Sequence, residues 1–509
     1  MKFIKPILIF FVVLINAQSG FQILDNKKKI EIPFRQINNL TFIDLKINNV
    51  DLTFLLDTGV AETLLFSLEN KEISFENVEK VNFTGLGGSS YIEGIKSSKN
   101  TLVIDKHFIA DNHTLYIILD ENFNFSSHVG IPVNGIMGYN FFKNHPTKID
   151  FENHKITVYN ENFFNESKFK KFEKLPISIE NQKPYLITDI QQNKEFFPAK
   201  MLLDLGNSDA LWLFPNRIPN FNYNRPNIDD FLGRGFNGDI YGKRSRIHAI
   251  KLGNNTLNEP IVSMPSNESV QSMNFVKDRI GSIGSDILKR FTVIFDYKNS
   301  NFYIKKSKRI KDPFKFNMSG LDIKHDGMKW ENDLVKVDLP KPKESAKNDN
   351  TVFTAQSDFQ YKFVLKPEYS IVGVRENSPS FLVDIKKGDK LIEINGKRTS
   401  DMSLQQINEL FSSEENRKIT RIKVTSISNL LEIIKDNMDN KNNIDNIFKN
   451  FRTLFQKKKR IEIINKIKFI ISVLHKSGII GIAIENSKSP DKKELYASIH
   501  NTNFQDYAK

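Results

Sequence analysis

Two tripeptides in this chain, Asp57-Thr58-Gly59 and Asp204-Leu205-Gly206, place a carboxylate at the end of an apolar run, after Phe54-Leu55-Leu56 and Met201-Leu202-Leu203. A carboxylate so placed ends a buried strand, and the glycine two positions on lets the backbone bend sharply and lets another backbone come close. A single Asp-x-Gly is ordinarily a turn. Two of them brought together are different, because carboxylates about 3 Å apart repel by about 5 kcal/mol at an effective dielectric near 20, roughly four pKa units. They cannot both ionise. One then holds a proton as an acid while the other is a base, and the pair can activate a water against a peptide carbonyl without metal or covalent intermediate. Asp57 and Asp204 are therefore the candidate catalytic residues.

What would bring them together is an internal repeat. Asp57 and Asp204 are offset by 147, and Glu62-Thr63-Leu64 is matched by Asp209-Ala210-Leu211, each leading into apolar residues that end at Phe66 and Phe214. Gly85-Leu86-Gly87-Gly88, with Ile92 and Gly94, is matched at an offset of 148 by Gly233-Arg234-Gly235-Phe236, with Ile240 and Gly242. Gly135-Ile136-Met137-Gly138 pairs with Gly281-Ser282-Ile283-Gly284, and Asp150-Phe151-Glu152-Asn153 with Asp296-Tyr297-Lys298-Asn299, both at 146. Separate blocks holding one register within two residues mark a duplication. Each copy also opens with an alternating strand, Thr41-Phe42-Ile43-Asp44-Leu45-Lys46-Ile47 and Tyr185-Leu186-Ile187-Thr188-Asp189-Ile190. Asn48-Asn49 and Gln192-Asn193 then turn the chain back into the Asp-bearing strand. Duplicated lobes can pair about a pseudo-two-fold axis, which brings equivalent residues to that axis.

Asp57-Thr58-Gly59 resembles the Asp-Thr-Gly signature of retropepsin-like and pepsin-like aspartic peptidases, and Ile136-Met137-Gly138 and Ser282-Ile283-Gly284 resemble their later apolar-apolar-Gly segments. The run from Asp204 through Trp212 to Phe214 is similar to one in bacterial exported aspartyl proteases that carry a C-terminal PDZ domain. The resemblance spans about residues 30 to 425. It implies that Thr58, Gly59, Leu205 and Gly206 form the active-site loops. It also implies a flap over the substrate at Gly85, Gly87 and Gly88 and its counterpart at Gly233 and Gly235, although ordinary hairpin turns would use the same glycines. One departure stands out. The family has Thr or Ser between Asp and Gly, whose hydroxyls interlock the loops, and the Leu205 side chain has none; the second loop is then held differently, by Asn207 or Ser208, or this copy is degenerate. Val60 likewise offers no hydroxyl to the first carboxylate.

Beyond Lys308 the pattern changes. Asn317-Met318-Ser319-Gly320-Leu321-Asp322-Ile323 opens a β unit, broken by a polar Pro/Lys-rich loop over 339–350 and resumed at Tyr361. Ile371-Val372-Gly373-Val374, Asn377-Ser378-Pro379-Ser380 and the run from Lys387-Gly388-Asp389 to Ile394-Asn395-Gly396 then strongly resemble a PDZ domain. A helix over Leu404 to Phe411 follows, with Ser403 as N-cap. The resemblance implies a groove for peptide C-termini, with Ser319, Gly320 and Leu321 as the carboxylate loop and Leu404 and Ile407 beside the peptide. For single side chains such as these, ordinary core packing is an equal reading. From residue 426 onward there are helical spacings around an asparagine-rich run and a short apolar stretch at Ile479-Ile480-Gly481-Ile482-Ala483-Ile484, with no resemblance to a known family.

The ends and the composition set the bounds. Lys2 and Lys5, an apolar run over residues 6 to 15 and the small residues at Asn16-Ala17-Gln18 read as a secretory signal over 1–17, too short to span a bilayer. The chain is therefore expected to be exported, periplasmic or secreted. With no cysteine in 509 residues, it has no disulfides and no thiol chemistry. The net charge of +13 is spread over lysines among asparagines, without a basic and aromatic nucleic-acid pattern. No nucleic acid, cofactor, metal or stable membrane span is expected. The expected fold class is mainly β: two tandem retropepsin-like lobes (18–162 and 163–308) forming one pepsin-like bilobal domain, an α+β PDZ domain (309–426), and a mixed, mostly helical extension (427–509). The expected function is an aspartic endopeptidase acting on protein or peptide, with a PDZ domain that binds peptide C-termini. The alternative is an inactive pair of lobes that binds peptide as a scaffold.

Overall fold

The computed structural model describes residues 20–69, 71–83, 92–119, 125–192, 195–219, 221, 223–235, 238–271, 273–336, 359–412 and 420–425, with the backbone of 495–499. The expected signal segment, the first-lobe flap glycines Gly85, Gly87 and Gly88, the polar loop 339–350 and most of the C-terminal extension, including its apolar stretch, lie outside the described residues. The chain is mainly β, the class expected, and it divides into two compact units, one up to Lys315 and the other from Phe316.

The first unit holds both copies of the repeat, and each copy builds the same local sheet. Leu40–Ile47 and Val50–Leu56 form a hairpin, with Phe42 opposite Leu55 and Ile47 opposite Val50. Asn48 and Asn49 turn it with φ of 47° and 71°, the left-handed pair that a two-residue hairpin turn needs and that asparagine tolerates. The second copy repeats this with Lys183–Gln192 and Glu195–Leu203, Tyr185 opposite Leu202. In each copy a later strand inserts between the Asp-bearing strand and a short one. Gly135–Met137 lies parallel to Val50–Leu56 and antiparallel to Thr63–Leu65. Arg279–Ile283 lies parallel to Glu195–Leu203 and antiparallel to Leu211–Leu213. The insertion buries both apolar runs, so the residues at the strand ends are fixed by neighbours on two sides.

A six-stranded sheet joins the copies, three strands from each: Glu173–Pro176, Asn301–Lys306 and Phe291–Asp296 from the second, then Thr147–Asp150, Lys155–Tyr159 and Lys29–Pro33 from the first. At the junction Thr147 faces Phe295, Lys148 faces Ile294 and Ile149 faces Val293. With the repeat offset of 146, Lys148 and Ile294 are equivalents lying opposite each other, and Thr147 faces the equivalent of Ile149. That is an isologous pairing, the register a two-fold axis through the junction requires. Its inner side is aromatic: the Phe142 ring stacks on Tyr297 at 5.4 Å and meets Phe295 edge-on at 5.5 Å, all three buried. A fully buried Phe contributes about 2 kcal/mol and an exposed ion pair about 0.5 kcal/mol. In a chain without cysteine, apolar burial dominates the stability of this unit.

The second unit has the sheet order Leu321–Lys336, Phe359–Val374, Lys390–Ile394, Thr420–Thr425, with Leu495–Ile499 paired beyond. Beside it lies the helix Leu404–Phe411, capped as expected: Ser403 accepts from the Gln406 N–H while the Gln406 side chain accepts from the Ser403 N–H. Leu404, Ile407 and Phe411 face inward at helical spacing, onto a core with Leu321, Ile371 and Ile422.

Candidate active site

Each catalytic candidate stands where its strand leaves the sheet. The Asp57 N–H donates to Met137 O and the Asp204 N–H to Ile283 O, both at 2.9 Å, so the inserted strand of each copy anchors the adjacent loop. The carboxylates converge in space that the two glycines leave empty. A Cβ built on Gly59 would lie 2.9 Å from Asp204 Oδ1 and 3.0 Å from Asp57 Oδ1, and one on Gly206 would lie 2.1 Å from Asp57 Oδ2. No other residue type fits at 206, and the Gly59 N–H donates to Asp57 Oδ1 at 2.6 Å.

The loops interlock from one side. Thr58, fully buried, donates its hydroxyl to Leu203 O at 2.7 Å and accepts from the Leu205 N–H at 2.9 Å. The reciprocal hydroxyl is missing, because Leu205 places a fully buried apolar side chain there. Other groups hold the second loop. Ser285 Oγ donates to Leu205 O at 3.0 Å, and Asn39 of the first lobe donates to Ser208 O at 2.8 Å while Lys289 Nζ donates to Asn39 Oδ1 at 2.7 Å. Asn207 braces the loop from within: its side chain accepts from the Asp209 N–H at 3.0 Å, and its carbonyl from the Ser285 N–H at 2.7 Å.

The electrostatics of the two carboxyls differ. Burial, and then the charge of Asp204, push the Asp57 carboxyl up to about 7 against the opposing Gly59 amide, Lys183 and Gly206 amide. Burial raises Asp204 as well, but Arg279 and Lys183 oppose it, Arg279 most. Arg279 is itself buried, its guanidinium spent on Gly281 O at 3.2 Å and Ser282 Oγ at 2.8 Å and lying over the Phe214 ring at 5.4 Å. Both carboxyls are thus held above the usual carboxylate range, and they titrate as a pair in which the first proton lost leaves a charge that opposes loss of the second. Sequence reading singled out neither Arg279, Lys183 nor Ser285. Ser285 alone had a local signal, since it follows the repeated Gly284.

Five residues after Asp204, a buried ion network ties the loop to the hairpin that carries the second-lobe flap candidates. Arg244 donates to Asp209 Oδ1 at 2.8 Å and to Asp230 Oδ2 at 2.7 Å, while Ser263 Oγ and Trp212 Nε1 each reach Asp209 Oδ2 at 2.7 Å. Asp230 and Arg244 lie on the paired strands Ile228–Gly235 and Gly238–Arg246. Of the flap candidates there, Gly233 sits at a register shift with φ +143° and Gly235 pairs with Gly238 at the end of the hairpin.

In the second unit, Ser319, Gly320 and Leu321 form a turn into the edge strand Leu321–Lys336. Leu321, Leu404 and Ile407 are 1%, 2% and 0% exposed and pack in the core of this unit. Their apolar type at helix and strand spacing is what a core needs, and nothing local distinguishes that from a groove wall. Among the described residues no group of three or more His, Asp or Glu is placed to hold a metal ion, and no helix is long and apolar enough to cross a membrane.

No protein-family model matches the chain, and no curated protein matches its sequence. Among solved structures it is similar to an aspartic proteinase from Irpex lacteus, with a TM-score of 0.38 and 11% identity over 56% of this chain and 99% of that one. The converging carboxyls, the interlocked loops and the two-fold register are properties of this chain by itself.

Proposed function

We propose that the chain is an aspartic endopeptidase in which Asp57 and Asp204 act as one water-activating pair. The observation that carries this reading is the convergence of both carboxyls on the gap left by Gly59 and Gly206. Ionised Asp204 takes a proton from a water lodged between the carboxyls as that water attacks the peptide carbonyl carbon. Protonated Asp57 gives its proton to the carbonyl oxygen, leaving a neutral tetrahedral diol. Asp204 then passes its proton to the departing amide nitrogen, the C–N bond breaks, and Asp57 recovers a proton from a diol hydroxyl. The pair ends as it began, so it turns over without a cofactor. The second unit fits a peptide-binding module of the PDZ type, a helix beside an edge strand, and the N-terminal segment fits export.

The second reading, lobes that bind peptide without cleaving it, is favoured by Leu205, which removes half of the interlock. Incubating an unfolded protein with the wild-type chain and with Asp57→Asn separates the two. The peptidase reading expects cleavage at mildly acidic pH and a loss of about 10²–10⁴-fold in the variant. Equal cleavage by both proteins, or none by either from acid to neutral pH, contradicts it.

A further inference from the structure

The turn at 317–321 carries a pattern of hydrogen bonds that bears on what the second unit binds, an inference that rests on the peptide-binding reading above. A chain terminus docking on a strand edge offers two things close together: carboxylate oxygens that accept from clustered backbone N–H groups, and a last backbone N–H that donates to a strand carbonyl. Here the Asn317 side chain offers the same two functions from inside the protein. Its Oδ1 accepts from the Ser319 N–H at 3.1 Å, the Gly320 N–H at 3.2 Å and the Ser319 hydroxyl at 2.8 Å. Its Nδ2 donates to Leu321 O at 2.9 Å, at the start of the edge strand. The remaining N–H of the cluster, on Leu321, is taken by Ser319 Oγ at 3.1 Å.

The arrangement is held from behind. Gly320 has φ +76°, and a Cβ there would lie 2.2 Å from Ser378 Cβ, so the turn cannot relax around a larger residue. The Arg375 N–H donates to Gly320 O at 2.8 Å, the Ser380 N–H to Ser319 O at 3.3 Å, and the Arg375 guanidinium to Asn317 O at 3.1 Å. Each amide that would receive a carboxylate is thus satisfied by a side chain anchored a few residues away. Arriving ligand oxygens would have to displace Asn317 Oδ1 and Ser319 Oγ, and would gain no unpaired donor in exchange. Further along, Leu321–Lys336 stands at the end of its sheet, and among the described residues no strand pairs on its outer side. That side is where an added strand would pair, whereas the amides of the terminus-binding corner are already taken.

We propose that Asn317 is a built-in stand-in for a peptide end, so that this edge takes up extended internal segments of a partner polypeptide without recognising a free C-terminus. The test uses the full chain and two fluorescent decapeptide pools, randomised at the last four positions and differing only in a free or amidated C-terminus. Wild type is expected to bind both pools within about twofold. Asn317→Ala, which uncovers the amides, is expected to bind the free-acid pool at least about fivefold more tightly than the amidated one. Asn317→Asp, which keeps the acceptor, is expected to show no such gain. A wild-type preference of that size for the free acid overturns the proposal, as does an Asn317→Ala protein that binds both pools as wild type does; in either case the peptide-binding reading stands. Absence of binding of either pool to every protein overturns both.

Discussion

In the proposed mechanism, the proton on the carboxyl pair is where the site meets solution conditions. Asp57 is raised from 3.8 to about 7, first by burial and then by the charge of Asp204. A carboxyl whose folded value lies above its unfolded value holds a proton that the unfolded chain has released. Its linkage therefore costs stability as pH rises from about 4 through about 7. Asn cannot titrate, so the Tm of Asp57→Asn should fall less over that window than the wild-type Tm, which parallel thermal melts would measure. Cleavage should decline through the same window as the pair loses the proton it must donate. A wild-type Tm that rises from pH 4 to 7 relative to the variant would assign the raised carboxyl wrongly. At this scale the sequence was half legible. Asp57, Asp204 and their glycines stood out because the chemistry needs those types at those spacings. Arg279 and Lys183 did not, because their influence on Asp204 runs through folded space, and an isolated Arg or Lys carries no local pattern.

Among elements, the connection that matters most is the one between the Asp204 loop and the hairpin Ile228–Gly235 with Gly238–Arg246. Arg244 bridges Asp209 and Asp230, with side chains 14%, 17% and 6% exposed, so the pairs are largely shielded from solvent. Arg244 keeps its pair with Asp209 when Asp230 is neutralised, but one charge-assisted hydrogen bond is lost, at a cost of about 1.5–3 kcal/mol. Asp230→Asn, which keeps the shape, should therefore lower the midpoint of denaturant unfolding. It should also reduce kcat through the Asp209 anchor of the catalytic loop more than it raises KM. Unchanged stability and kcat would mean the hairpin is not coupled to the loop. The hairpins themselves could be read in advance, since alternation and the Asn48-Asn49 turn dictate them. The helix Leu404–Phe411 was legible with its cap, but its inward residues were not separable by sequence into core and groove.

For the molecule as a whole, the repeat has become a two-fold junction. Thr147–Asp150 meets Phe291–Asp296 in an isologous register over a buried aromatic layer, which places both carboxyls in one chain. Exchange of lobes between chains would first have to open that junction and expose its Phe and Tyr side chains before a second chain's lobe could rebuild it. Mixing Asp57→Asn with Asp204→Asn should accordingly restore no cleavage, whereas recovered activity in the mixture would require paired lobes from different molecules. The duplication was visible as blocks sharing one offset, because both copies kept the glycines and apolar runs that the inserted strands demand. How the second loop survives with Leu205 was visible only in Asn207 and Ser208, the neighbours that take part in holding it. Its replacements, Ser285, Asn39 and Lys289, come from distant positions that only the folded lobes bring together.

Groups that act as one catalytic unit lose nearly everything when either is removed, and little more when both are. The most direct test is therefore kcat/KM on one cleavable peptide for wild type, Asp57→Asn, Asp204→Asn and the double variant. Each single variant should fall by about 10²–10⁴-fold, and the double variant should be no slower than the worse single. Losses that multiply in the double variant, or full activity in either single one, would contradict a shared water-activating pair.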